Sequence, residues 1–177
     1  MPNPMKTFAS SLLCAALTLG FGAGRTVAAP DSAATGGLRI GVYDSRAIAV
    51  AYAGSPVHEQ RLAAATAERR KARESRDSTT VSRIEAEGQA QQKLLHRQAF
   101  GQEPVDDILA QIPAEVAAVR SANAVGVLVS KWDEAALAAQ RGRETVDVTE
   151  ALVDALHPNA RQRQRALEIR AHPPAKN

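Results

Sequence analysis

The feature that most constrains this chain is the stretch from Pro56 to Ala99, built mainly from Ala, Glu, Gln, Lys and Arg. These residues lose little side-chain freedom in a helix, so the segment must be helical and largely solvated. Ser55-Pro56 opens it. A serine oxygen can accept from the first free amides, and proline at the first helical position gives up no needed donor. Asp77-Ser78-Thr79-Thr80 interrupts the pattern with four poor helix formers, two of which favour caps. The reading is two helices, Pro56 to about Arg76 and about Thr80 to Ala99, each about 30 Å long. They fold back as an antiparallel hairpin with its tip at Asp77–Ser78. Paired about that tip, Leu62, Ala65 and Ala72 would face Leu95, Gln91 and Ile84. A single continuous helix would be about 66 Å long and would carry the chain too far from its remaining elements to return.

The flanks of this arm read differently. Leu38, Ile40 and Val42 alternate with Arg39, Gly41 and Tyr43, the period of a strand. Asp44 or Ser45 can cap a short helix through Tyr52 that stops at Gly54. After the arm, Val105, Ile108, Leu109, Ile112, Val116 and Val119 form a helical stripe expected to lie on the sheet. Pro113 falls inside the stripe, where a proline costs about 3 kcal/mol, so a kink or restart is expected there. Val125, Val127 and Val129 mark a second strand, apolar enough to be read as central, ended by Lys131-Trp132-Asp133-Glu134. Glu144 to Val148 is a third strand, and Thr149 starts a helix to Leu156. The fold class is therefore α+β: a small three-stranded sheet body, a helical-hairpin arm and helices packed on the sheet. The domain spans 38–158, with the arm at about 56–99. Residues 159–177 are read as a basic C-terminal tail, a short surface helix with a frayed, Pro-rich end.

The first residues read as a secretory signal peptide: Lys6, an apolar run from Phe8 to Gly22, then small residues, with cleavage near Ala28. The run is short of the ~20 residues a spanning helix needs. This places the protein outside the cytoplasm, with 29–37 a flexible leader. The whole chain has net charge +3. Loss of Lys6 and Arg25 with residues 1–28 leaves 20 basic against 19 acidic residues, so the basic character is no argument for nucleic acid. Cys14, the chain's one cysteine, leaves as well. The mature chain then has no disulfide and few aromatics (Tyr43, Tyr52, Phe100 and Trp132). Alanine takes their place, which suits close-packed helices and favours burial of surface against further copies of the chain.

Ile40-Gly41-Val42-Tyr43-Asp44-Ser45, Ala124-Val125-Gly126-Val127-Leu128-Val129-Ser130 and Val146-Asp147-Val148-Thr149 with the helix to Leu156 resemble the two ends of the body in the Skp/OmpH-like family of periplasmic chaperones. The resemblance covers roughly 55 residues, with the arm matching in kind. It implies a periplasmic homotrimer assembled through the sheet body, with arms around a cavity for unfolded outer-membrane or other envelope proteins. The arm here is much shorter than is usual in that family, and the stripe-bearing helix with Pro113 is additional.

Within the arm, residues 61–76 place Arg61, Arg69, Arg70, Lys71, Arg73 and Arg76 against Glu68 and Glu74. Such a run is either a solvated face or a surface for acidic lipid, acidic clients or a neighbouring subunit. No aromatic interleaves with it, which argues against nucleic acid. Trp132, between Lys131 and Asp133, is either a partner anchor, or a plug over the sheet edge or a trimer contact. The candidate partner-binding residues are thus Arg69, Arg70, Lys71, Arg73, Arg76 and Trp132. No cofactor, metal site or catalytic residue is expected. His58 and His96 would meet at the arm's base, but zinc needs three or four ligands in one place. Ser45 and Ser130 lack a glycine-framed elbow, and Asp106-Asp107 reads as acids favouring a helix N-terminus. The function expected is a non-enzymatic holdase. The alternative is an envelope adaptor whose basic arm binds acidic lipid or a protein partner.

Overall fold

In the computed structural model, which describes residues 39–175, the sheet is built around its first strand. β1 (Arg39–Tyr43) lies between β2 (Val125–Ser130) and β3 (Thr145–Asp147), and all pairs are parallel. The fold is α+β, a three-stranded sheet with helices packed on it. The signal peptide, the leader and Leu38 lie outside the described residues, as do Lys176 and Asn177.

β2 was expected to be central, and the structure places it on an edge. Both later strands pair with β1, and pairing across so much chain leaves no mark in local composition. Ile40, Gly41 and Tyr43 are buried along β1, whereas β2 buries only Val125 and Val129 and leaves Val127 and Leu128 half-buried. A Cβ at Gly41 would come within 2.7 Å of Leu128 and 2.9 Å of Val125, so glycine there allows β2 to approach closely.

Local cap chemistry sets the helix starts. Asp44 accepts from the Arg46 amide at 3.1 Å to open α1 (Ser45–Tyr52). Ser55 accepts from the His58 amide at 3.2 Å to open α2 (Pro56–Glu74), with Pro56 in its first turn. Asp77 accepts from Thr80 at 2.9 Å to open α3 (Ser78–Phe100). Between α2 and α3 the chain turns through Arg76, at φ 57°, and the Asp77 amide reaches back to the Ala72 carbonyl at 2.8 Å. The stripe breaks at the proline into α4 (Asp106–Leu109) and α5 (Pro113–Ala122), a restart rather than a kink. The sequence reading assigned no helix between the second and third strands. α6 (Glu134–Ala139) lies there, capped by Asp133. α7 (Thr149–Ala155) follows β3.

The core forms where α1 meets α4 and α7: Ile48, Tyr52, Val105, Ile108, Leu152, Val153 and Leu156 are all at most 1% exposed. The tail carries a short helix, α8 (Ala160–Glu168), whose Ala166 is fully buried and which packs on α1. The approach is close because the sequence places small residues at the contact. A Cβ on Gly54 would fall 2.1 Å from Gln162 Cγ. Arg163 bridges to Asp154 and Glu150 of α7, both at 2.6 Å. After a 3-10 turn (Ile169–Ala171), the Ala175 amide donates to the Phe100 carbonyl at 2.8 Å.

Candidate binding site in the arm

α2 and α3 pack on each other and are bridged by Arg73 with Glu85 (3.1 Å), Arg83 with Glu68, and Arg61 with Gln91 (3.0 Å). Five of the six expected seam residues line one groove, and they do not close a seam. Ala72 and Ile84 are buried, whereas Leu62 is 54% exposed. Leu62, Ala65, Ile84, Gln91 and Leu95 line an open groove of about 320 Å³. Gly88 keeps it open, since a Cβ built there meets nothing within 4 Å. Two polar atoms beside this groove, His58 Nδ1 and Gln91 Nε2, are screened from solvent and have no hydrogen-bond partner among the described residues. Burial, and then the neighbouring Arg61, holds the His58 imidazole below its ordinary pKa, which favours the neutral ring.

The predicted cations Arg69, Arg70, Lys71, Arg73 and Arg76 fall in the last turns of α2 and the turn beyond it, and all but the half-buried Arg69 are exposed. Arg73 pairs with Glu85, and Arg70 approaches Glu74 at 3.9 Å. At this exposure each pair contributes at most a few tenths of a kcal/mol, roughly 0.3–0.5 for an i,i+4 pair.

Trp132 is not part of that surface. Its indole N–H donates to Asp44 Oδ1 at 3.0 Å, and the Arg46 guanidinium and the Lys131 ammonium each lie 4.6 Å from its ring. Asp44 and Arg46 are buried and paired at 3.1 Å, and Lys131 reaches Asp44 at 2.6 Å. Burial alone would raise the Asp44 pKa, but hydrogen bonds from Arg46, Lys131 and Trp132 outweigh it and hold the carboxyl below its ordinary value. Arg46 also donates to the carbonyls of His172 (2.9 Å) and Ile169 (3.3 Å). The cluster therefore ties β1, the end of β2 and the tail together, and every group in it is committed to another.

His58 and His96 lie against different rings, tilted on Tyr52 (4.8 Å) and Phe100 (4.9 Å) respectively. Among the described residues no three His, Cys, Asp or Glu side chains gather as a metal would require. A second, larger groove of about 570 Å³ lies where α1, the end of α3 and α8 meet, and Phe100, 47% exposed, is on its wall. Sequence reasoning missed this groove because it depends on the docked tail. The arm groove could have been suspected from Gly88, an unforced glycine in a helix interior. No protein-family model matches the chain, and no curated protein or solved structure matches it at a significant level.

Proposed function

We propose that the protein is a non-enzymatic, chaperone-like holdase of the periplasm that binds unfolded envelope proteins through its arm. The observation that carries this reading is the open seam. Two long helices lie against each other yet leave Leu62 and an apolar-walled groove uncovered, on an arm otherwise made soluble by charge. The resemblance of the body strands to the Skp/OmpH-like family supports the same reading. The same proposal includes a homotrimer assembled through the sheet body, in which β2 and β3 each leave one side without a strand neighbour among the described residues. The test is light scattering of an unfolded outer-membrane protein diluted from denaturant. Excess protein should suppress aggregation, and undiminished scattering would sink the proposal.

A second reading is favoured by the cations at the arm's tip: an envelope adaptor that holds anionic lipid. It expects salt-sensitive binding to anionic vesicles, lost in the Arg69→Glu, Arg70→Glu, Arg73→Glu variant. Unchanged binding in that variant would remove it.

A further inference from the structure

Away from the arm, one cleft gathers charge of a single sign. It opens at the carboxyl ends of β1 and β2, where Tyr43 and Ser130 end the two strands, and encloses about 320 Å³. Open sheets of parallel strands leave a crevice for ligands at this end. Three carboxylates stand on its walls: Asp106 at the start of α4, and Asp133 and Glu134 at the start of α6. No Lys, Arg or His lines it, and none of the three acids is ion-paired with a described residue. Asp133 gives one oxygen, Oδ1, to the Ala136 amide at 2.9 Å and keeps the other uncommitted. The neighbouring cluster of Asp44, Arg46 and Lys131 sets one acid against two bases, which offsets only part of this charge.

A second feature points to a ligand without reference to the acids. Tyr43 is only 5% exposed, yet its hydroxyl makes no hydrogen bond with any described residue and is not sealed from solvent. Its side chain lines this cleft. Burial, and then Asp106 and Asp133, pushes the phenol up to about 12, so it stays protonated, and its oxygen can accept an N–H. A hydroxyl so enclosed and unbonded is one that a ligand would satisfy.

We infer that this cleft binds a small aliphatic amine carrying two ammonium groups, one taken by Asp106 and the other by Asp133 and Glu134, with Tyr43 Oη accepting an N–H. The inference is independent of the holdase reading. The excess of acid selects a cation. Among the described residues no three acidic groups gather as a metal would require, so the negative charge is spread and suits a cation spread in the same way. Leu128 and Ala136 give apolar wall to the carbon chain between the ammonium groups. The volume is at the small end of ligand cavities, which fits a molecule of a few carbons.

Trp132, the chain's one tryptophan, is on the cleft wall, so its fluorescence reports occupancy. The full mature protein is titrated at low salt with putrescine, butylamine, butanediol, calcium chloride and a blocked Lys-Lys dipeptide, with calorimetry as the second readout. Putrescine should bind roughly tenfold more tightly than butylamine, which meets one set of acids only, and butanediol should not bind. Asp133→Asn, in which asparagine still caps α6, and Asp106→Asn should each weaken putrescine by roughly tenfold. Tyr43→Phe, which keeps the ring, should weaken it several-fold with unchanged circular dichroism. Glu74→Gln, on the arm, should leave binding as it is. Equal binding of butylamine and putrescine, indifference to both Asp106→Asn and Asp133→Asn, or an equal loss in Glu74→Gln would overturn the site. Tighter binding of calcium would overturn the amine in favour of a metal, and tighter binding of the dipeptide would overturn a small molecule as occupant. Suppression of aggregation is read separately, so the amine site and the holdase stand or fall apart.

Discussion

The body and the arm are both mostly helical, yet they are held by different forces. In the body, α1 is buried along nearly its whole length, from Ser45 to Tyr52, and a charged cluster around Asp44 is sealed beneath Trp132. In the arm, the 19 residues of α2 bury only Ala72, and the distal part of α3 buries only Ile84. Caps, helix propensity and exposed ion pairs hold the arm, each a few tenths of a kcal/mol to about 1 kcal/mol. Packing holds the body, where one truncated side chain costs more than all the arm's surface pairs together. A binding surface can therefore sit on the arm with little penalty, because almost nothing there is needed for the fold.

The sharpest way to break this contrast is Asp44→Ala, which leaves Arg46 buried without its partner. It should cost about 3–5 kcal/mol in urea denaturation, and a loss near zero would show the cluster to be dispensable. The same carboxylate sets an acid limit. Asp44, Asp147 and Asp154 all have folded pKa values below their ordinary ones. For Asp44 and Asp147, hydrogen bonds overcome a burial effect of opposite sign, and for Asp154 the Arg163 bond dominates. A depressed folded pKa means the stabilisation is complete above the unfolded value of about 3.9 and disappears as pH falls through the folded value. The urea midpoint should be flat above about pH 5 and fall steeply below about pH 4, with a shallower fall in Asp44→Asn.

Leu152→Ala, in the fully buried core, should cost about 2–5 kcal/mol by the same measurement. Gly54→Ala tests whether the tail belongs to the body. It pushes a methyl into Gln162 and should cost about 1–3 kcal/mol, while a silent substitution would mean α8 can lift away freely. The smallest effect belongs to the arm. Leu62→Ala should shift stability by under about 0.5 kcal/mol, and a loss comparable with Leu152→Ala would erase the distinction between the two regions.

How much of this was readable beforehand follows from the range of each interaction. Ser55-Pro56, Asp44 and Pro113 act on backbone groups within three or four residues, so these helix starts were legible. The centrality of β1 was not, because it depends on Arg39 meeting Val125 and Ile40 meeting Thr145. Nor was the docking of α8, where Ala166 and Gly54 matter for being small, a property that signals nothing until the partner is known. The basic arm tip was visible as composition. The open seam was hinted at by Gly88 and no further, because a pattern of small and apolar residues cannot say whether they close on each other. Trp132 was open to both an anchor and a plug reading, and its indole N–H is bonded to Asp44 of the same chain.

The position of β1 also sets an order of events. The arm's cross-contacts join residues 12, 15 and 30 apart, so the hairpin can close as soon as it is made. The central strand cannot be completed so early. Arg39 pairs with Val125 and Ile40 with Thr145, so β1 waits, with Ile40 and Val42 unprotected, until the last third of the chain is available on both sides. Long-range parallel pairing of this kind forms late and slowly and leaves an apolar strand open to sticking in the meantime. During its own maturation the protein passes through the same vulnerable condition it is proposed to relieve in others.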